Sequence, residues 1–143
     1  TLYTSGYNYS KRRCARIVNW FITKHLPKHK LQIIVNHRGM MRDEVYGWVG
    51  VIDCDYRPRS FEIEMHNQLT LEHYTRTLLH ELWHVYQHVM GVLKDKYGKR
   101  HWRGIEHSDM DYSDQPWEQQ AFIMENVLYK EYLKHLTDTH QTI

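Results

Sequence analysis

The apolar positions along this chain switch between a helical and a strand period, and the switches mark its elements. Cys14, Ile17, Val18, Phe21 and Ile22 share one helical face, so residues 9–26 are predicted to form an amphipathic helix. Ser10 stands where a cap would, and Pro27 lies just beyond the end. Residues 31–36 are short and rich in β-branched side chains, which predicts a strand. Over residues 44–52, Val45, Gly47, Val49 and Val51 alternate with Tyr46, Trp48, Gly50 and Ile52 in a second strand. Its glycines suggest a bulge or a close approach. After a loop over residues 53–59, Phe61, Ile63 and Met65 alternate with Glu62, Glu64 and His66, the pattern of a half-exposed third strand. Residues 70–90 contain no breaker and read as one long helix closed by Gly91. Residues 94–113 are polar and show no clear period. Residues 115–135 return to helical spacing, with Asp114 as the expected cap and Pro116 in the first turn. The expected class is α+β: an N-terminal helix, a small mixed sheet of about three strands and two further helices, as a single domain over residues 1–143.

Composition narrows the class. Hydrophobic residues make up 41% and charged residues 25%, which argues against disorder. A formal net charge of +2 is too small to imply nucleic-acid binding. Cys14 and Cys54 read as two reduced thiols. No apolar run reaches the length of a membrane span and no secretory leader opens the chain, so a cytoplasmic protein with no membrane partner is expected. The chain begins at Thr1, as a processed or trimmed chain would. The 12 histidines are the oddity, and they make metal ligation worth testing.

One histidine pair has the required spacing. His80-Glu81-Leu82-Trp83-His84 places two imidazoles four residues apart, hence on one face of the second predicted helix. Glu81 lies about 100° around the axis, near enough to handle a water without ligating the ion. A shuffled chain of this composition would contain about 0.06 such motifs by chance, so context has to decide. Leu78, Leu82, Val85 and Val89 lie opposite the histidines, and Leu79, Trp83, Tyr86 and Met90 form a second apolar stripe. A helix this apolar is buried on most sides, and buried imidazoles need a cleft or a metal. His73, Thr77 and His88 fall on the histidine side and are expected to line the cleft.

A catalytic zinc takes three protein ligands. Gln87 replaces the glycine that a metzincin would carry, which disfavours that class. The downstream candidates are His101, Glu106, His107, Asp109, Asp111, Asp114 and Glu118. Glu118 is favoured because Pro116-Trp117-Glu118-Gln119-Gln120-Ala121 opens a helix and Ala121 would let it come close. Glu125 on the same side would support a histidine from behind.

These two segments, His-Glu-Leu-Trp-His-Val-Tyr-Gln and Pro-Trp-Glu-Gln-Gln-Ala, resemble the minimal gluzincins over roughly residues 61–125. Similar groups are the ImmA/IrrE-like and SprT-like metallopeptidases and the small zincin domains of phages. The resemblance implies a zincin-like fold and a hydrolase with one zinc per chain held by His80, His84 and Glu118. It also implies a peptide or protein substrate, with Glu81 as general base for water. For a phage-encoded chain, the place of action would be the host cytoplasm. SprT-like proteins can use a third histidine, which here would be His101 or His107. An oxyanion donor is expected from Tyr112, with His107 and Tyr97 behind it. Zincins hold extended substrates along an edge strand, a role that would fall to residues 61–66.

Two other readings compete. Lys11, Arg12, Arg13 and Arg16, and Lys94, Lys96, Lys99, Arg100 and Arg103 beside Tyr97 and Trp102, would suit a peptidase acting on DNA-associated proteins. Solvated faces explain such clusters more often, so a nucleic-acid partner is not favoured. A non-catalytic zinc-binding regulatory domain is disfavoured because neither cysteine lies near the motif.

Overall fold

Alternation in the middle of the chain dictates a sheet with one covered face. In a computed structural model, which describes residues 1–42, 45–54, 56–107 and 109–143, β2 (Gln32–Arg38) and β4 (Ser60–His66) pair in parallel at the centre of four strands. β1 (Leu2–Gly6) joins β2 in parallel and β3 (Gly47–Val51) joins β4 antiparallel, giving the order β1-β2-β4-β3. Ile33, Val35 and His37 of β2 and Phe61, Ile63 and Met65 of β4 are buried on one face. Asn36 and Glu62 occupy the open face and hydrogen-bond across the strands at 2.6 Å. Removing Phe61, which is fully buried, would cost about 3–5 kcal/mol.

Helices α1 (Lys11–His25) and α2 (Leu71–Val89) supply the covering layer, and both start on side-chain caps. Ser10 accepts from the Arg13 amide and Thr70 from the His73 amide. Gly91 takes a left-handed φ of 77° just past α2, where a β-carbon would be strained. Cys14, Ile17 and Phe21 meet Leu78, Leu79 and Leu82 in one buried cluster with the sheet. Met90, expected within the apolar stripe, is half exposed beyond the last turn.

The final helix, α3 (Pro116–Asp138), packs along α2. Ala121 is fully buried there. Gln115, without a side-chain cap bond, precedes it; the expected cap, Asp114, belongs to a 3-10 turn (Tyr112–Asp114). The class is therefore α+β, with more strand than the sequence suggests. β1 was not foreseen, nor was a second antiparallel sheet of β5 (Leu93–Lys96), β6 (Lys99–Trp102) and β7 (Ile105–His107) within the segment without a period. Of the expected strand 44–52, residue 44 lies outside the described residues.

One expectation is overturned. Residues 61–66 do not form an edge, because β4 is paired on both sides; the outer strand beside α2 is β3. Gly47 permits that approach. A β-carbon there would sit 3.0 Å from Thr77 Cγ2 and 3.2 Å from Glu81 Cγ.

Candidate metal centre

The helical period places His80 and His84 side by side on α2, with ring centroids 5.0 Å apart. Both are about 5% exposed, and Glu81 between them is 6% exposed. One ligand atom from each of His80, Glu81 and His84 falls within 4.8 Å of the others, so this buried group can hold a metal ion. From α3, Glu118 reaches both rings. Its Oε2 lies 3.4 Å from His80 Nε2, and its Oε1 approaches His84 Nε2.

Hydrogen bonds on the far side of each ring fix its tautomer. Glu125 Oε1 lies 3.1 Å from His80 Nδ1, and a carboxylate only accepts, so Nδ1 carries the proton. His84 Nδ1 faces Gln87 Oε1 at 2.7 Å. The Gln87 amide nitrogen is committed to the Trp117 carbonyl and Gln120 Oε1, each at 3.0 Å, so Oε1 must accept from His84. With Nδ1 engaged on its far side, each ring turns Nε2 towards the Glu118 carboxylate. His84 Nε2 is buried, with Glu118 Oε1 as its partner. Two imidazoles and one carboxylate converging in a buried site match the donor set of zinc.

Charge follows the same pattern. Burial opposes charging His80, but the bonds to Glu118 and Glu125 outweigh it and raise its pKa to about 10. Burial pushes the Glu118 carboxyl upward, yet its bonds to His80 and His84 hold it well below the usual carboxylate range. Glu81 moves the other way: burial raises it, and the two imidazoles offset only part. His80 therefore holds a proton towards Glu118, while Glu81 is left as the stronger base of the two carboxylates.

Tyr112, from the 3-10 turn, has its hydroxyl beside Glu118 and lines the cavities on both sides of the centre. The smaller, about 180 Å³, is walled by Trp48, His88, Arg100 and Trp117. The larger, about 710 Å³, is walled by Tyr46, His73, Thr77 and Phe122. His73, Thr77 and His88 therefore line the cleft as expected.

The other candidates lie elsewhere. His101 and Glu106 belong to the second sheet, where Glu106 pairs with Lys99 at 3.3 Å. His107 Nδ1 faces Met110 Sδ at 3.1 Å. Asp111 precedes the 3-10 turn and Asp114 ends it, while Asp109 stands in the loop before them with a left-handed φ of 52°. Tyr97 is 99% exposed on the β5–β6 turn, which removes it as an oxyanion donor. Gln87 and Gln120 were missed as supporting residues. Their signal was a pair of amides on two helices that are otherwise apolar where they meet.

Compared with models of known protein families, with curated proteins and with solved structures, the chain matches none of them. No helix among the described residues is long and apolar enough to cross a membrane.

Proposed function

We propose that this protein is a zinc metallopeptidase of zincin-like fold, with His80, His84 and Glu118 holding the ion. The carrying observation is the convergence of two imidazole Nε2 atoms and one carboxylate from α2 and α3 on one buried point. A zinc ion bound there would supply a Lewis acid for water and for the scissile carbonyl.

The remaining roles belong to the chain's own groups. Glu81 carries a raised proton affinity and has Gly47 of β3 directly above it, which leaves its carboxylate facing the cleft. It takes a proton from the attacking water and returns it to the amine nitrogen as the C–N bond breaks. Tyr112, 53% exposed at the rim, can turn its hydroxyl from Glu118 towards the developing oxyanion. The open side of β3 offers backbone groups to an extended peptide, the role expected of residues 61–66.

Two measurements test this reading. Elemental analysis of protein purified without chelator should find one zinc per chain. That protein should cleave a mixed peptide pool, and Glu81→Gln should abolish cleavage with zinc retained. Zinc bound without hydrolysis would favour the regulatory reading, and a chain that cannot be loaded with zinc would end both.

A further inference from the structure

The second sheet turns one of its faces towards the metal centre. Leu93 and Asp95 of β5 stand opposite Trp102 and Arg100 of β6, so these four side chains share a face. Leu93 and Trp102 pack with Trp117 of α3 in a small apolar cluster of their own. That packing brings Arg100 to the wall of the cavity of about 180 Å³, beside His84, Glu118 and Trp48. Lys94, Lys96 and Lys99 alternate to the other face of the sheet.

Arg100 is oriented there with donors to spare. Its Nε and Nη2 donate to the two Asp95 carboxylate oxygens at 2.9 and 3.2 Å, and its guanidinium lies 5.2 Å from the Trp117 ring centroid. That fork occupies one edge of the guanidinium. The other edge, Nη1 with the second Nη2 hydrogen, has no hydrogen-bond acceptor among the described residues. A carboxylate matches such an edge with two parallel bonds. Glu118 does not serve it, being committed to the two imidazoles. Arg100 is also the one permanent cation among the described residues that line this cavity. Trp48 and Trp117 flank the space, and beside apolar walls a charge pair is screened less than in open water.

Chain direction decides which part of a substrate reaches it. Tyr46, just before β3, borders the larger cavity, whereas Trp48 and Val49 border the smaller one. A peptide on the open side of β3 pairs best antiparallel, in the more stable ladder, and so runs from the smaller cavity to the larger. The residue before the cleaved bond then meets Arg100, and the residue after it meets Tyr46 and Phe122.

We propose that Arg100 determines specificity by binding an acidic side chain on the residue before the cleaved bond. The inference rests on the peptidase reading and names its substrate class.

The probes are acetyl-Ala-Ala-Glu-Phe-Ala-Ala-amide, its Gln-Phe counterpart, the reversed Phe-Glu peptide, and the Gln-Phe peptide with a free terminal carboxylate. The zinc-loaded full chain should cut the first between Glu and Phe, with kcat/KM about tenfold or more above that of the Gln-Phe peptide. Arg100→Gln should handle those two peptides alike, and Arg100→Lys, which keeps the charge without the fork, should retain part of the preference. Equal cleavage of both by the parent, or a full preference surviving in Arg100→Gln, would overturn the proposal. So would better cleavage of the reversed peptide or of the one with a free carboxylate, since each places the acid on the wrong side of the bond. If the zinc-loaded protein cuts none of the four, the peptidase reading fails by itself, and calorimetry with the first two decides this inference. Binding of the Glu peptide about tenfold or more tighter, lost in Arg100→Gln, supports it; equal affinities, or no binding at millimolar concentration, sink it. Should Arg100→Gln fail to fold, the Arg100→Lys comparison decides.

Discussion

Two groups of buried histidines sit in this protein, and they differ in everything except burial. His37 is 2% exposed and has a satisfied ring: Nδ1 lies 3.0 Å from the Ser5 carbonyl and Nε2 lies 2.7 Å from the Tyr74 hydroxyl. Tyr9 stacks on it with ring centroids 3.7 Å apart. Every partner is neutral, and burial lowers its pKa. His80 is 5% exposed, but its partners are Glu118 and Glu125, and its pKa rises to about 10. Burial alone thus says nothing about ligation. What distinguishes the candidate metal centre is that carboxylates face its imidazoles, whereas around His37 a neutral Tyr74 hydroxyl and the Ser5 carbonyl complete the ring's bonding.

Mutation should separate the groups most sharply in metal binding. His84→Ala and Glu118→Ala are expected to weaken zinc by more than about 100-fold, while His37→Gln keeps one zinc per chain, as read by competition with a chromophoric chelator. If Glu118→Ala held zinc like the parent while His101→Ala or His107→Ala released it, the SprT-like ligand set would replace this one. Next in size is the chemical step. Glu81→Gln should keep zinc and lower peptide hydrolysis by at least about 100-fold, and Tyr112→Phe should lower kcat by about 100-fold. A parallel loss of zinc in Glu81→Gln would show that Glu81 is a ligand. Smaller again are the residues that orient the rings. Glu125→Gln and Gln87→Leu should each weaken zinc by about 10–100-fold, and unchanged affinity in both would mean that the tautomers are set by something else.

The sequence carried one side of this comparison well and the other poorly. The spacing of His80, Glu81 and His84, the close of α2 at Gly91, and the seven-residue step from Glu118 to Glu125 are all properties of single helices, so they could be read locally. The Gln87 bonds to Trp117 and Gln120 depend on how two helices meet, which no period encodes. The same limit explains β4. Alternation of Phe61, Ile63 and Met65 with Glu62 and Glu64 correctly marks one covered and one open face, but faces say nothing of neighbours, and the edge fell to β3. The second sheet was hidden because its strands have only three or four residues, too few for a period to emerge. Its turns did leave a trace: Tyr97-Gly98 and Arg103-Gly104 each take two successive left-handed φ values, the geometry of tight hairpins, without the usual asparagine or aspartate.

The subtlest difference between the groups should appear as opposite responses to pH in chelator-treated protein. At His37, burial lowers the folded-state pKa below the ordinary 6.5, and the Ser5 carbonyl restores only part. The unfolded chain then binds a proton more readily, so the His37 contribution to stability is complete above pH 6.5 and is lost as pH falls from there. At His80 the folded-state pKa is about 10. Its contribution is complete below pH 6.5 and is lost as pH rises through about 10. Urea denaturation of the parent, His37→Gln and His80→Gln at pH 5, 7 and 9 isolates each term as a difference from the parent. The parent's advantage over His37→Gln should shrink between pH 7 and pH 5, and its advantage over His80→Gln should shrink between pH 7 and pH 9. If both differences moved in the same direction with pH, the carboxylates around His80 would not be acting on it as their geometry requires.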